Sequence, residues 1–312
     1  MPVLPEHLKG GVVAIGNFDG VHLGHRAVLD RALAIAGREQ APSVVLTFEP
    51  HPRTLFRPDK PVFRLTPAPL KANIMRDLGF DAVVEQTFDH EFSQMFAADF
   101  VEKLLGESLG ARHVVTGHDF HFGRGRQGTP KFLADHATSG GMEVTLVEPF
   151  LDDDGEIISS TRIRDALARG DIELANRLSG RSWFVRGSVV AGKQLGRTLG
   201  YPTANMLLPA EARLYQGIYA VRVRLANGGV HDGVASFGRR PTFDNGEILL
   251  ETYLFDFSDD IYGMEIEVEF HKFLRSEEKF DSAEDLVAQM DRDCVDAKTV
   301  LDKSQPPEMT DG

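Results

Sequence analysis

From residue 12 to about 150, short apolar runs alternate with stretches whose apolar positions recur at helical spacing. Val12–Ile15, Val44–Phe48, Ala82–Val84, Val114–Thr116 and Val144–Val147 read as strands. Between them the spacing predicts helices over His25–Ala36, from Thr66 and Pro67 onward, over about Ser93–Leu105, and over Pro130–His136. Strands that are apolar throughout, rather than alternating, are those of a parallel sheet covered by helices on both faces. The pattern therefore predicts an α/β domain, and in such sheets ligands bind beyond the carboxyl ends of the strands.

Helical patterns over Thr161–Arg169 and Asp171–Leu178 stop at Gly180, and the periodicity then changes. Phe184–Val190, Gly217–Leu225, His231–Phe237, Ile248–Phe257 and Met264–Phe270 read as strands separated by turn signals, which predicts a small antiparallel β-barrel. A domain boundary near Arg181 follows, giving domains over 1–180 and 181–303. A helix over Ser282–Leu301 closes the second domain, with Ser282 and Asp285 placed as a capping box. Residues 304–312 are polar and contain proline, which predicts a flexible tail.

Composition narrows the setting. With 312 residues, 42% hydrophobic and 26% charged, the chain has room for two domains with cores of their own. A net charge of −13 opposes nonspecific contact with nucleic acid or anionic membrane, so an anionic ligand needs locally basic loops. Neither a spanning apolar run nor a secretion-type start is present, and the single cysteine, Cys294, has no partner for a disulfide. A cytoplasmic protein acting on small molecules is expected. The oligomeric state stays open.

The candidate chemistry sits in loops. GNFDGVHLGH, Gly16 to His25, joins the first strand to its helix; its glycines let backbone approach a bulky anion at a helix N-terminus. His22 and His25 lie about one helical turn apart and can face one ligand. Gly16, Asn17, Asp19 and Gly24 are assigned to the nucleotide phosphates beside them. After the second strand comes TFEPHPR, where Phe48, Pro50 and His51 are candidates for a flat ligand. After the fourth comes GHDFHFGRGRQGT, with Asp119 and the phosphate donor Arg124. ISSTRIR offers Ser159, Ser160, Thr161 and Arg164 at a helix entrance, as a phosphate clamp or as an ordinary N-cap. His118 and His121 read as surface residues, and neither a paired-histidine spacing nor a second cysteine points to a transition-metal site.

In the second domain AGKQLGRTLGYPTAN places Gly192, Lys193, Gly196 and Arg197 where a flexible basic loop can close over a triphosphate. Thr203 and Asn205, two apart on an extended segment, share a face and offer oxygen to a hard cation such as Mg2+. In ILLETYLF the alternation puts Glu251 on the face of Leu249, Tyr253 and Phe255, where a carboxylate is either structurally paired or held for proton transfer.

His-x-Gly-His after a strand resembles the signature of nucleotidyltransferases. The PTAN loop with GIYAVRV, SFGRRPTF and FLRSEEKF resembles riboflavin kinase. In this order, over nearly the whole chain, the motifs are similar to those of the bifunctional bacterial riboflavin kinase/FMN adenylyltransferases, also called FAD synthetases. The resemblance implies a Rossmann-like adenylyltransferase domain followed by a six-stranded kinase barrel. It implies riboflavin, FMN and ATP as substrates, FAD as product and Mg2+ with ATP. His22 and His25 would then belong to adenylylation, Thr203 and Asn205 to Mg2+–ATP, Glu251 to the general-base position, and Arg275 and Glu277 of FLRSEEKF to flavin.

Overall fold

Every residue of β1 (Val12–Ile15) is buried, because alternate side chains enter two different cores. Val12 and Ala14 pack with Val28, Leu29 and Ile35 of helix α1 (Leu23–Glu39). Val13 and Ile15 pack against Phe100, Val101 and Leu104 on the opposite face. This two-sided burial is the physical reason for the unbroken apolar run. The structure, a computed structural model, describes residues 2–192, 196, 199–239 and 248–303. Lys193, Arg197 and the expected tail at 304–312 lie outside the described residues.

The chain divides into two compact units, 1–160 and 161–312. In the first, β2 (Ser43–Glu49), β3 (Ala82–Thr87), β4 (His113–Gly117) and β5 (Glu143–Val147) join β1 in an all-parallel five-stranded sheet of order β3-β2-β1-β4-β5. The order reverses direction between β1 and β4, so the loops leaving those strands open a crevice at the sheet's carboxyl edge. The other helices are α2 (Pro52–Phe56), α3 (Ala68–Asp77), α4 (His90–Ser93), α5 (Ala97–Asp99), which continues as a wide-turn stretch Phe100–Ser108, and α6 (Pro130–Ser139). The single helix expected over Ser93–Leu105 is thus broken. Asp89 caps α4 by accepting from the Phe92 N–H at 2.7 Å, and a fresh start follows Phe96.

In the second unit α7 (Ser160–Ala168, its first residue in the first unit) and α8 (Ile172–Ser179) precede six strands. Asn176 ties α8 to the sheet, donating to the Phe270 carbonyl at 2.8 Å and accepting from the Trp183 N–H at 2.7 Å. The compact unit therefore begins two helices ahead of the change in periodicity near Arg181, at Thr161. Strands β6 (Trp183–Ser188), β7 (Thr203–Leu208), β8 (Gly217–Leu225), β9 (Val230–Arg239), β10 (Ile248–Leu254) and β11 (Glu265–Arg275) form an antiparallel curled sheet of order β6-β11-β8-β9-β10-β7. A bridge from the Val190 N–H to the Asn205 carbonyl, 2.8 Å, brings the two edges together at one end, as a barrel requires. Strand β7 is the element that the periodicity missed. The concave side holds Tyr219, Val221, Ala235, Leu250 and Phe270, all fully buried. Helix α9 (Ala283–Lys303) lies on the other side, where Ala297 and Leu301 pack on Ala220 and Phe255. Ser282 opens α9, with its Oγ accepting from the Asp285 N–H at 3.0 Å and donating to the Asp285 carboxylate at 2.7 Å.

Candidate active sites

The loop after β1 is held in a strained form. Phe18 and Val21 have φ of 50° and 42°, values that L-residues, and β-branched ones above all, seldom adopt, and both side chains are buried. His22 is the N-cap of α1, its Nδ1 accepting from the His25 N–H at 3.2 Å. That cap stacks the two imidazoles with centroids 3.6 Å apart and 18° between planes, and the Phe18 ring meets His25 edge-on. Gly24 packs closely here: a Cβ would lie 3.2 Å from the His22 ring and from the Ile158 carbonyl, so a larger residue would press on the imidazole. Two imidazoles are thereby presented at the positive end of a 17-residue helix.

Asp19, expected at the phosphates, is buried and accepts from the N–H groups of Leu65 and Thr66 at 3.2 and 3.0 Å and from Arg64 at 3.4 Å. Its carboxylate anchors the 64–66 segment. Arg64 also grips Glu49 in bidentate fashion at 2.6 and 2.7 Å. Lys71, 0% exposed, donates to Glu49 at 2.5 Å, to Thr47 Oγ1 at 2.8 Å and to the Asn17 carbonyl at 3.1 Å, which uses all three of its N–H bonds. Burial raises the Glu49 carboxyl pKa, but the hydrogen bonds and charges of Arg64 and Lys71 outweigh it and hold it below its ordinary value. Burial pushes the Lys71 ammonium down. Neither Arg64 nor Lys71 was legible as a site residue, because only the packed sheet puts them under the loop. Ser160 Oγ donates to the Asp19 carbonyl at 2.8 Å, joining the start of α7 to the same loop. Ser159 directly precedes that start, Thr161 falls in the helix's first turn and Arg164 just beyond it.

Beside this loop is an apolar cavity of about 600 Å3 lined by Phe48, Phe56, Phe88, Phe92, Phe100, Phe120 and Phe122, with Asn17, Arg53 and Arg124 among its polar residues. Phe100 and Phe122 meet at 4.7 Å, and Phe120 and Phe122 stack at 5.6 Å. Asn17 Oδ1 is buried with no hydrogen-bond partner among the described residues. Gly123, with φ 70°, lets the 123–126 turn press on Ala97, where a Cβ would come within 2.9 Å. Of the residues expected at a flat ligand, Phe48 lines this cavity. Pro50, His51 and Asp119 are outside its lining: Pro50 and Asp119 are exposed, and His51 caps α2 by accepting from the Arg53 N–H at 3.2 Å. A sequence signal for the cavity existed in the density of phenylalanines, with Phe88, Phe92 and Phe100 close together in the chain and Phe120 and Phe122 two apart.

The second unit has its own cleft, about 970 Å3, between the convex face of the sheet and the beginning of α9. Strand register lines it up: Asn205 is opposite Glu251, Glu251 opposite Ser236, Ser236 opposite Ile218, and Ile218 opposite Arg275. The adjacent row starts with Thr203 opposite Tyr253. Asn205 is 4% exposed with Oδ1 unpartnered among the described residues, and Gly192 packs on it so closely that any Cβ would overlap the amide. Gly196, Thr203, Glu251, Arg275 and Glu277 line the cleft. Arg275 is committed to Asp293 of α9 by two bonds of 2.8 Å, and Tyr201 donates to Asp291 at 2.5 Å. These bonds hold α9 over the sheet, and the Asp291 hydrogen bond, with burial, pushes the Tyr201 hydroxyl upward.

Comparison with known proteins follows the same division. A family model described as FAD synthetase matches residues 4–162, and one described as riboflavin kinase matches 179–301. The "Bifunctional riboflavin kinase/FMN adenylyltransferase" of Haemophilus influenzae is 40% identical over 93% of this chain and 94% of its own. The protein of that name in Listeria monocytogenes is 40% identical over 94% and 93%. A crystal structure described as "Macrolide-efflux Protein from Streptococcus pneumoniae" is 30% identical with a TM-score of 0.85, over 97% of this chain and 96% of that one. No helix among the described residues is long and apolar enough to cross a membrane. The chain belongs to the bifunctional riboflavin kinase/FMN adenylyltransferase family.

Proposed function

We propose that the chain phosphorylates riboflavin in the cleft of its second unit and adenylylates the resulting FMN at the histidine loop of its first. Riboflavin and ATP give FMN and ADP; FMN and a second ATP give FAD and pyrophosphate. The observation that carries the kinase assignment is the register of β7, β10 and β9, which sets Asn205, Glu251 and Ser236 side by side on one sheet face, with Glu251 and Ser236 lining the cleft. Glu251 accepts the proton of the ribityl 5′-hydroxyl as that oxygen attacks the γ-phosphorus. Thr203 and Asn205 fit a hard cation, since the Asn205 Oδ1 is buried with no hydrogen-bond partner among the described residues. Magnesium bound there with ATP supplies charge neutralisation at the phosphates. Gly192 and Gly196, with Lys193 and Arg197 from the same motif, complete the phosphate loop.

In the first unit the attacking group is the FMN phosphate, already ionised, so no base is needed. His22 and His25 stabilise charge developing on the α-phosphoryl oxygens, helped by the N-terminus of α1 and by Arg124. The phenylalanine cavity, with Phe48 inside it, receives the isoalloxazine ring. Ser159 and Ser160 offer hydroxyls as a second phosphate clamp.

Glu251→Gln tests the kinase assignment. Kinase turnover should fall by about 100- to 10,000-fold, the range for a positioned general base, with FAD synthesis from supplied FMN intact. A near-normal single-turnover rate in the folded variant, or a lower melting temperature with chemistry preserved, removes Glu251 from the reaction.

A further inference from the structure

We infer that Glu39, His113 and Glu143 form a binding site for a divalent transition metal of the zinc class. The site lies at the amino edge of the first-unit sheet, away from the loops that carry the chemistry. His113 and Glu143 are the first residues of β4 and β5 and stand opposite each other in the parallel register; Glu39 is the last residue of α1. Their ligand atoms all lie within 4.8 Å of one another.

The observation that separates this cluster from ordinary surface acids is His113. It is 4% exposed, and its Nδ1 is buried without a hydrogen-bond partner among the described residues, as is Glu39 Oε2. That Nδ1 points between two carboxylates, 3.6 Å from Glu39 Oε1 and 3.6 Å from Glu143 Oε2. Zinc bonds to nitrogen and oxygen ligands are about 2.0–2.2 Å, so two ligands of a tetrahedral ion sit about 3.4 Å apart. The two histidine–carboxylate distances exceed this by a few tenths of an ångström, and the two carboxylates, within 4.8 Å of each other, close the remaining gap by rotation of the exposed Glu143 side chain. On the other side of the ring Nε2 is bonded to Thr145 Oγ1 at 2.8 Å; when Nε2 donates, Nδ1 is left as the bare lone pair that a metal takes. Thr145 is two residues beyond Glu143 on one strand face, so β5 supplies both a ligand and the group that orients the imidazole. An imidazole with two carboxylates suits zinc or cobalt better than magnesium or calcium, with water in the fourth position.

Two arginines compete for Glu39: Arg38 at 3.1 Å and Arg112 at 4.0 Å. Both side chains are more than half exposed and can turn to solvent when a cation replaces them. The bound ion would staple the end of α1 to β4 and β5, three elements far apart in sequence, so its effect is on stability and not on either reaction.

The test uses the full chain, stripped with chelator, free of nucleotide and without a histidine tag. Co2+ is titrated in and followed by its visible d–d bands, then displaced by Zn2+. One equivalent with tetrahedral bands is expected, and Zn2+ should raise the melting temperature. Glu143→Gln, at a side chain 68% exposed and therefore safe for folding, should abolish both effects. Thr145→Val should weaken affinity by about 10- to 100-fold. Asn205→Ala should leave the bands unchanged. Absence of the bands in the wild-type chain, bands that survive Glu143→Gln, or bands lost in Asn205→Ala would each overturn the assignment.

Discussion

Lys71→Met tests whether the buried ion cluster beneath the histidine loop is a scaffold for adenylyl transfer. Methionine keeps the length and apolar stem of lysine but removes an ammonium that makes three hydrogen bonds at zero exposure. None of its acceptors is left wholly alone: Glu49 keeps the bidentate Arg64, and the Asn17 carbonyl still accepts from Thr47 Oγ1 at 3.1 Å. Breaking a buried pair costs about 3–5 kcal/mol when the surviving charge is stranded. Here Arg64 compensates Glu49, and the desolvation penalty of the ammonium disappears as well, which brings the expected loss to about 2–3 kcal/mol. For a unit of this size, each kcal/mol shifts the midpoint by about 2–4 °C, so the first-unit transition should fall by about 4–12 °C. Calorimetry of the full chain reads the shift, and separation of the flavin products reads function. FAD formation from FMN should weaken because the Asn17 carbonyl, a support of the loop, loses a donor; riboflavin phosphorylation should be unchanged. A transition within 2 °C of wild type and a normal FAD rate would mean that the cluster merely balances its own desolvation and does not position the loop.

Acid should act on the same cluster. The Glu49 carboxyl is held below its ordinary value of 4.5, so it adds stability that is fully present above that value and is lost as pH falls through the lower folded value. The first-unit denaturation midpoint should therefore decline below about pH 4.5, and Glu49→Gln should flatten that limb; an unaltered limb in the variant rejects the linkage. A fragment starting at Thr161 should fold and phosphorylate riboflavin, whereas one starting at Arg181 loses both Asn176 bonds and the buried Ile163, Leu167, Ile172 and Leu178. Its urea midpoint should be lower, and equal midpoints would put α7 and α8 outside the folding unit. Gly192→Ala should push the Asn205 amide aside and slow the kinase by about a hundredfold, as expected for a displacement near 1 Å, with FAD synthesis from FMN preserved. Normal kinase turnover in that variant would show that the amide's position does not matter.

Local periodicity and turn chemistry determined much of this protein. The unbroken apolar strands required a sheet covered on both faces, and the shift to alternation after Gly180 required a second architecture. The capping geometry of Ser282 and the stacked pair His22 and His25 follow from spacing within one helical turn. Such signals are local: they report which way a side chain faces relative to its neighbours a few residues away. They carry nothing about which strand lies beside which, and this is where the reading stopped. The segment of β7 was read as extended but its strand partner was not, so the placement of Asn205 against Glu251 could not be read. The anchoring of Asp19 could not be read because its partners, Leu65, Thr66 and Arg64, are brought to it only when the chain past α2 folds back. Nothing in the local pattern singled out Lys71, and His113, Glu39 and Glu143 shared no motif at all. Each of these groupings is set by burial of apolar faces that are distant in sequence, which fixes strand order and register and only then decides which polar groups must find one another out of water.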